Sequence, residues 1–205
     1  ETEVTVTGSS FLLGSGGYCL QARGIATMAD SRFLDNVNYV EGVDTLGGAF
    51  MSYDKAEVSR CLFAGNSATG GGAIYVQDSL LLKNCSLANN MASTGGGGAV
   101  MVSLDGSATV RASYFEGNSG GSGGGGAILA EDGSVLTISG SVFEGNDAKL
   151  GGGWCSLGSE VTASNTTLSG NSATSSGGGF TCQQGTTELS YVTFSGNEAP
   201  VGSGY

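Results

Sequence analysis

Phe63-Ala64-Gly65-Asn66-Ser67-Ala68-Thr69-Gly70-Gly71-Gly72-Ala73-Ile74-Tyr75-Val76 contains both halves of a motif that runs through the whole chain. One half is Phe or Leu, two variable residues and Asn; the other is Gly-Gly followed by an apolar residue. Working outward, the first half returns at Phe33 to Asn36, Leu87 to Asn90, Phe115 to Asn118, Phe143 to Asn146, Leu168 to Asn171 and Phe194 to Asn197. Glycine pairs end at Gly17, Gly48, Gly72, Gly98, Gly126, Gly153 and Gly179. Both series step by roughly 27 residues, a spacing in the range of solenoid repeats. The repeat covers residues 1–205 without a linker or composition break, so one domain is expected.

Aligned on the Asn, the copies show a period of two. Ten residues before it stand Ala56, Leu80, Ala108, Leu136 and Val161, and eight before it Val58, Leu82, Val110, Ile138, Ala163 and Leu189. Residues such as Lys83, Arg111 and Ser139 fall between, which predicts a strand with one buried face. After each glycine pair an apolar run, such as Ala73-Ile74-Tyr75-Val76, predicts a second strand. Turns containing Asp78-Ser79, Asp105-Gly106-Ser107, Asp132-Gly133-Ser134 and Gly158-Ser159 join the two. Linkers after the Asn, such as Ser67 to Gly70 and Ser172 to Ser175, absorb the drift in period. Identical residues recurring once per repeat mean that each coil lies on a copy of itself, which is parallel, in-register stacking. The expected fold is all-β, a parallel β-helix of about seven coils rather than a sandwich of hairpins. A lone coil cannot offset the entropy of ordering its backbone, so stacking is obligatory. Asn36, Asn66, Asn90, Asn118, Asn146, Asn171 and Asn197 are expected to form a structural ladder beside a buried Phe column.

Seven Lys or Arg stand against eighteen Asp or Glu, with no His and a net charge of -11. That balance disfavours nucleic acid and anionic membrane surfaces. The missing His removes the commonest general base and metal ligand, and no cofactor or metal is expected. No apolar run reaches the roughly 18 residues that span a bilayer. No secretory signal opens the chain at Glu1 and no polar cap is recognisable after Asn197, so the stack is expected to continue into more chain or onto another subunit, end to end or laterally.

The alternation of Gly71-Gly72-Ala73-Ile74, Gly97-Gly98-Ala99-Val100 and Gly125-Gly126-Ala127-Ile128 with Phe63-Ala64-Gly65-Asn66, Phe115-Glu116-Gly117-Asn118 and Phe143-Glu144-Gly145-Asn146 resembles the paired motifs of the chlamydial polymorphic membrane proteins, a repeat type also found in other microbial surface proteins. The resemblance implies a surface-exposed autotransporter passenger, folded as a right-handed β-helix and used as an adhesin. The chain departs from the pattern where Gly153-Trp154-Cys155 and Gly179-Phe180-Thr181 replace the Ala, where Leu87 and Leu168 replace the Phe, and in that no membrane barrel follows.

The sequons Asn84-Cys85-Ser86 and Asn165-Thr166-Thr167 fall one residue before the same strand position, on an outward side where a glycan could be carried. Cys61 and Cys85 stand five residues before consecutive ladder Asn residues, close enough for a disulfide, and stacked free thiols fit equally. Cys155 and Cys182 lie one position out of register, and Cys19 is left as a lone thiol or a bond to a preceding segment. Asp54, Asp78, Asp105 and Asp132 fall at nearly the same turn, as turn caps or as a column of oxygen ligands for Ca²⁺. Glu116 and Glu144 stack and should point into water.

The expected role is a non-enzymatic, extracellular or cell-surface module, structural or adhesive, whose partners are other extracellular subunits or host and cell-surface glycans. The alternative is a carbohydrate-active β-helix enzyme. It would need two carboxylates about 5–9.5 Å apart in a groove, or Ca²⁺ with a basic residue. Arg23, Arg32, Lys55, Arg60, Lys83, Arg111 and Lys149 read as scattered along the chain.

Overall fold

The computed structural model describes residues 3–12, 20–40 and 42–204; Gly17 and Cys19 lie outside them. Every regular element among the described residues is a strand. One central coil shows the plan. Ser79–Lys83 runs along sheet 1, Ser86–Ala88 along sheet 2, Met91–Gly96 along an outer strip, and Val100–Val102 along sheet 3. The chain then turns into Ser107–Arg111, which pairs with Ser79–Lys83 in parallel. Among the described residues, repetition gives two sheets of eight strands and one of seven. The all-β parallel solenoid read from the sequence is therefore the fold.

Sheets 1 and 2 carry one turn more than the seven motif copies. Glu3–Thr7 pairs with Ile25–Ala29, and Ser10–Leu12 with Arg32–Leu34. This turn does not carry the motif, because Gly14 stands where the Asn would be. Phe11 is nonetheless in the aromatic column, stacked on Phe33 at 4.7 Å, as Phe33 is on Phe63 and Phe115 on Phe143.

Sheet 1 alternates as read, with Leu80, Leu82, Ala108 and Val110 buried between outward neighbours. Sheet 3 differs, being covered on both faces. Ile74, Val76, Val100, Val102 and Ile128 enter the main core, while Met51, Tyr75, Met101, Leu129 and Cys155 form a second apolar row with Leu46 and Leu150. Burial on both faces explains why these segments read as unbroken apolar runs rather than as alternation.

The second row has a cover because the post-Asn linkers are partly strand. Ser67–Gly70 pairs with Met91–Gly96, and Asp147–Leu150 with Ser172–Ser176. Length differences are taken up at irregularities between Ala92 and Gly96 and between Ala148 and Leu150, rather than in free loops.

The glycine pairs return the chain from the strip to sheet 3. Gly71 has φ 58°, and a Cβ on Gly72 would lie 2.2 Å from the Gly98 carbonyl oxygen of the next coil. The pairing also corrects the sequence register. Trp154 pairs with Ile128 and Phe180 with Trp154, so the true pairs are Gly151-Gly152 and Gly177-Gly178, and Gly153 and Gly179 occupy the Ala position. The reason is volume. Trp154 stacks on Phe180 at 5.1 Å and meets Phe143 edge-on at 5.5 Å, while a Cβ on Gly153 would sit 3.0 Å from Leu168. A bulky residue from sheet 3 is accommodated by a smaller one in the Phe column and none at the Ala position.

The asparagines form a continuous ladder. The side-chain amide of Asn36 donates to Asn66 Oδ1 at 2.7 Å, and the series continues through Asn90, Asn118, Asn146 and Asn171 to Asn197 at 2.8–2.9 Å. Each Oδ1 also accepts from the backbone N–H of the preceding ladder residue at 2.9–3.1 Å. The second amide hydrogen goes to a backbone carbonyl, as from Asn118 to Leu87 at 2.9 Å. Donors and acceptors of the five central members are thus satisfied in a dry interior.

Phe115 is fully buried beside Leu87 and Phe143. Because Leu already occupies this column twice, Phe115→Leu is expected to cost about 1 kcal/mol and Phe115→Ala about 3–4 kcal/mol. Denaturant unfolding measures both, and equal costs would contradict a packed column.

Candidate functional site

The candidate site is the corner between sheets 1 and 2. At this corner Asp30, Arg60, Asn84, Ala112, Asn165 and Tyr191 all have φ between 47° and 54°, and Gly140 has φ 57°. A left-handed residue breaks the alternation of the strand, so the residue after it turns back inward. Asn and Gly adopt that conformation most cheaply, which gives Asn84 and Asn165 a structural reason to be there. Both are exposed, so the sequon asparagines share one outward line, separated by the coils of Ala112 and Gly140.

The residue after the corner forms a second ladder that the sequence reading did not recognise. The hydroxyls of Ser31, Ser113, Ser141 and Thr166 each donate to the carbonyl two residues earlier at 2.8–3.0 Å. Cys61 and Cys85 occupy this column and do the same, to Ser59 and Lys83, at 3.3 Å. The backbone N–H of each is taken by the next coil, from Cys61 to Cys85 Sγ at 3.5 Å and from Cys85 to Ser113 Oγ at 3.2 Å. Cys61 and Cys85 stand as free thiols, the second of the two arrangements that their spacing allows. Their sulfurs are committed to main-chain partners, as the neighbouring hydroxyls are. The stacked sulfurs titrate as a pair: the contact with Cys85 lowers the Cys61 thiol, and the same contact, with burial, pushes the Cys85 thiol up. Alignment on the Asn would have shown the Ser/Cys/Thr column at minus five.

An open groove of about 600 Å³ runs over the corner, lined by Asp30, Arg32, Arg60, Asn84, Ser86 and Tyr114. Asp30 and Arg60 face each other across consecutive coils in a two-pronged pair, Nε to Oδ1 at 2.7 Å and Nη2 to Oδ2 at 2.8 Å. The Arg60 hydrogen bond lowers the Asp30 carboxyl and the Asp30 carboxylate raises Arg60.

With the parallel register, the αL corners and the stacked interior in view, one comparison becomes interpretable. The family model described as a right handed beta helix region matches residues 1–167. The chain belongs to the right-handed β-helix family. No curated protein and no solved structure matches it. Membership accounts for the scaffold and leaves the activity open, because β-helices carry unrelated functions.

Two other features of this β-helix were read as possible sites. The turn aspartates do not form a column. Asp105 donates its N–H to the Asp132 carbonyl and stands level with Gly133, which like Asp105 has positive φ. Asp132 lies one position away, its carboxylate against Gly158. Among the described residues no three His, Cys, Asp or Glu side chains come together as a metal ion would need. Cys155 is level with Thr181 and Cys182 with Ser156, one position out of register as read. Cys155 lies in the second apolar row, where burial pushes its thiol up to about 12.

Glu116 and Glu144 are in register and exposed. The Tyr114 hydroxyl donates to Glu144 Oε2. That bond, helped by some desolvation and the nearby Glu116 charge, raises the Tyr114 phenol to about 12. A raised folded value means that the contribution is fully present below the unfolded tyrosine value and is lost as pH rises through about 12. Ultraviolet titration of the folded chain is expected to show a late phenolate component near 12 that Tyr114→Phe removes; its persistence in that variant would refute the assignment.

Proposed function

We propose that this β-helix is a non-enzymatic extracellular module, structural or adhesive, acting as a passenger-type adhesin or as a subunit of an extracellular filament or coat. The observation that carries the reading is where the recurring residues are spent. The Phe column, the asparagine ladder and the Ser/Cys/Thr ladder all bind coil to coil, and the repeat leaves long, regular lateral faces. On sheet 1 the outward positions bring Thr109, Thr137 and Thr162 into register, beside Ser139, Ser164 and Ser190. Such faces suit the display of a surface to a partner over several coils. The likeness of the paired motifs to chlamydial surface repeats supports the adhesive form, and the exposed sequon line is compatible with a secreted glycoprotein.

The test is attachment of the purified chain to cells, together with electron microscopy of the same preparation. Saturable attachment of isolated rods would support an adhesin, and ordered end-to-end or lateral arrays a filament or coat. Release of reducing or unsaturated sugar ends from a polysaccharide panel, with neither attachment nor arrays, would overturn the reading in favour of a carbohydrate-active enzyme.

A further inference from the structure

The cations that read as scattered are gathered by the stacking. Lys83 and Arg111 are direct partners on neighbouring strands of sheet 1, both exposed on its outer face. Arg60 follows Ser59, the partner of Lys83 on the other side. Arg32, the sheet 2 partner of Leu62, lines the corner groove with Arg60, while Lys83 and Arg111 stand at its sheet 1 rim, each one residue before a lining residue, Asn84 and Ala112. Four of the chain's seven basic residues thus lie along one corner over four consecutive coils, a length of about 14 Å at about 4.8 Å per step.

Only Arg60 is neutralised there, by Asp30. Among the described residues Arg32, Lys83 and Arg111 make no ion pair, the other salt bridge being Lys55 to Glu57. Two like charges directly opposite each other on adjacent strands are destabilising. A chain with eighteen acids and seven bases has ample means to pair them, yet here it leaves them side by side and open to solvent. An anionic ligand would relieve that repulsion.

The surroundings narrow the ligand. The groove is open and follows the solenoid axis, which suits an extended polymer better than an enclosed small molecule. The groove itself is lined by the Asn84 amide and the Ser86 hydroxyl, hydrogen-bonding partners for neutral hydroxyls, with Tyr114 and the Arg60-paired Asp30. The basic stretch is short and the remaining surface acidic, so a long, uniformly charged nucleic acid would be repelled beyond it. We propose that this corner binds a linear polysaccharide bearing sulfate or carboxylate groups, with Arg32, Lys83 and Arg111 on its anions and Asn84 and Ser86 on its hydroxyls. The site deepens the adhesive reading and rests on it only for the source of the ligand. A glycan on Asn84 would occupy the same groove.

The experiment uses the 205-residue chain produced without N-glycans and immobilised dextran sulfate, a polyuronate, neutral dextran and a single-stranded oligonucleotide. Binding to dextran sulfate, the polyuronate or both, weakening as salt screens exposed charges, is the expected result, and which of the two binds separates sulfate from carboxylate recognition. The double variant Lys83→Gln, Arg111→Gln should lose at least about tenfold in affinity, as expected when charge-assisted contacts are removed. Lys149→Gln, on the outer strip, should change nothing. Because the double variant removes repulsion, its unfolding temperature should stay the same or rise, so lost binding cannot be lost folding. Undiminished binding by the double variant, no binding to either polyanion, or equal binding to neutral dextran or the oligonucleotide would overturn the proposal. The two readings fail separately. Polyanion binding without cell attachment would sink the adhesive role and leave the site, whereas attachment that survives in the double variant would do the reverse for attachment through this corner.

Discussion

Gly98→Ala is expected to prevent the central coils from closing. A Cβ at this position would lie 2.1 Å from the Gly126 carbonyl oxygen and 2.6 Å from the Ser119 carbonyl carbon and oxygen, all backbone atoms of the next coil. Those atoms are held by the ladder bonds themselves, for Gly98 N–H donates to Gly125 at 3.0 Å and Ser119 N–H to Asn90 at 2.9 Å, so no side chain can swing aside. The loss should be at least about 4–5 kcal/mol, in the range reserved for changes that break a structural rule and comparable to the total stability of many domains. Gly145→Ala is the control. Its φ of 61° makes Ala unfavourable, but nothing lies within 4 Å of the new Cβ, so only the conformational cost of about 1–2 kcal/mol applies. Circular dichroism and limited proteolysis should show a cooperative, near-native protein for Gly145→Ala and a misfolded or insoluble one for Gly98→Ala. Indistinguishable behaviour would mean that close approach is not what the glycine pair provides.

Asn118→Ala should be nearly as damaging, through unmade bonds rather than a clash. Asn118 Oδ1 accepts from the Asn90 backbone N–H and side-chain amide at 3.0 and 2.9 Å, and its own amide reaches Leu87 O and Asn146 Oδ1, both at 2.9 Å. Alanine would strand two Asn90 donors and remove a donor from the Leu87 carbonyl in the interior. At about 1–3 kcal/mol for each orphaned buried group the total is about 4–6 kcal/mol, a fall in unfolding temperature of roughly 10 °C or more for a chain of this size. Asn197 is half-buried at the last rung, where water can replace what is lost, so Asn197→Ala should cost only about 1–2 kcal/mol. Thermal unfolding of the two variants gives the gradient, and a flat one would exclude a cooperative ladder.

The corner shows how far the sequence could be read. The outward position of Asn84 and Asn165 follows from counting to the ladder Asn. The positive φ that places Asn, Asp or Gly there does not, because Arg60, Ala112 and Tyr191 hold the same conformation without a favourable residue. The thiols were legible as a close pair but not as members of a hydroxyl column, since Ser31, Ser113 and Ser141 carry no signal until the copies are aligned five residues ahead of the Asn.

What the sequence determined by itself is therefore what repeats: parallel in-register stacking, the inward Asn and Phe columns, and the alternating strand of sheet 1. Those follow from local periodicity and from identical residues returning once per coil. The tertiary structure alone decided what depends on unequal coil lengths, since successive ladder residues are separated by 30, 24, 28, 28, 25 and 26 positions. Those unequal steps place Gly153 rather than Gly152 at the Ala position. Residues two dozen or more apart become neighbours at about 4.8 Å only when the intervening chain closes a full turn, and the slack between is absorbed in bulges and turns that no repeat encodes.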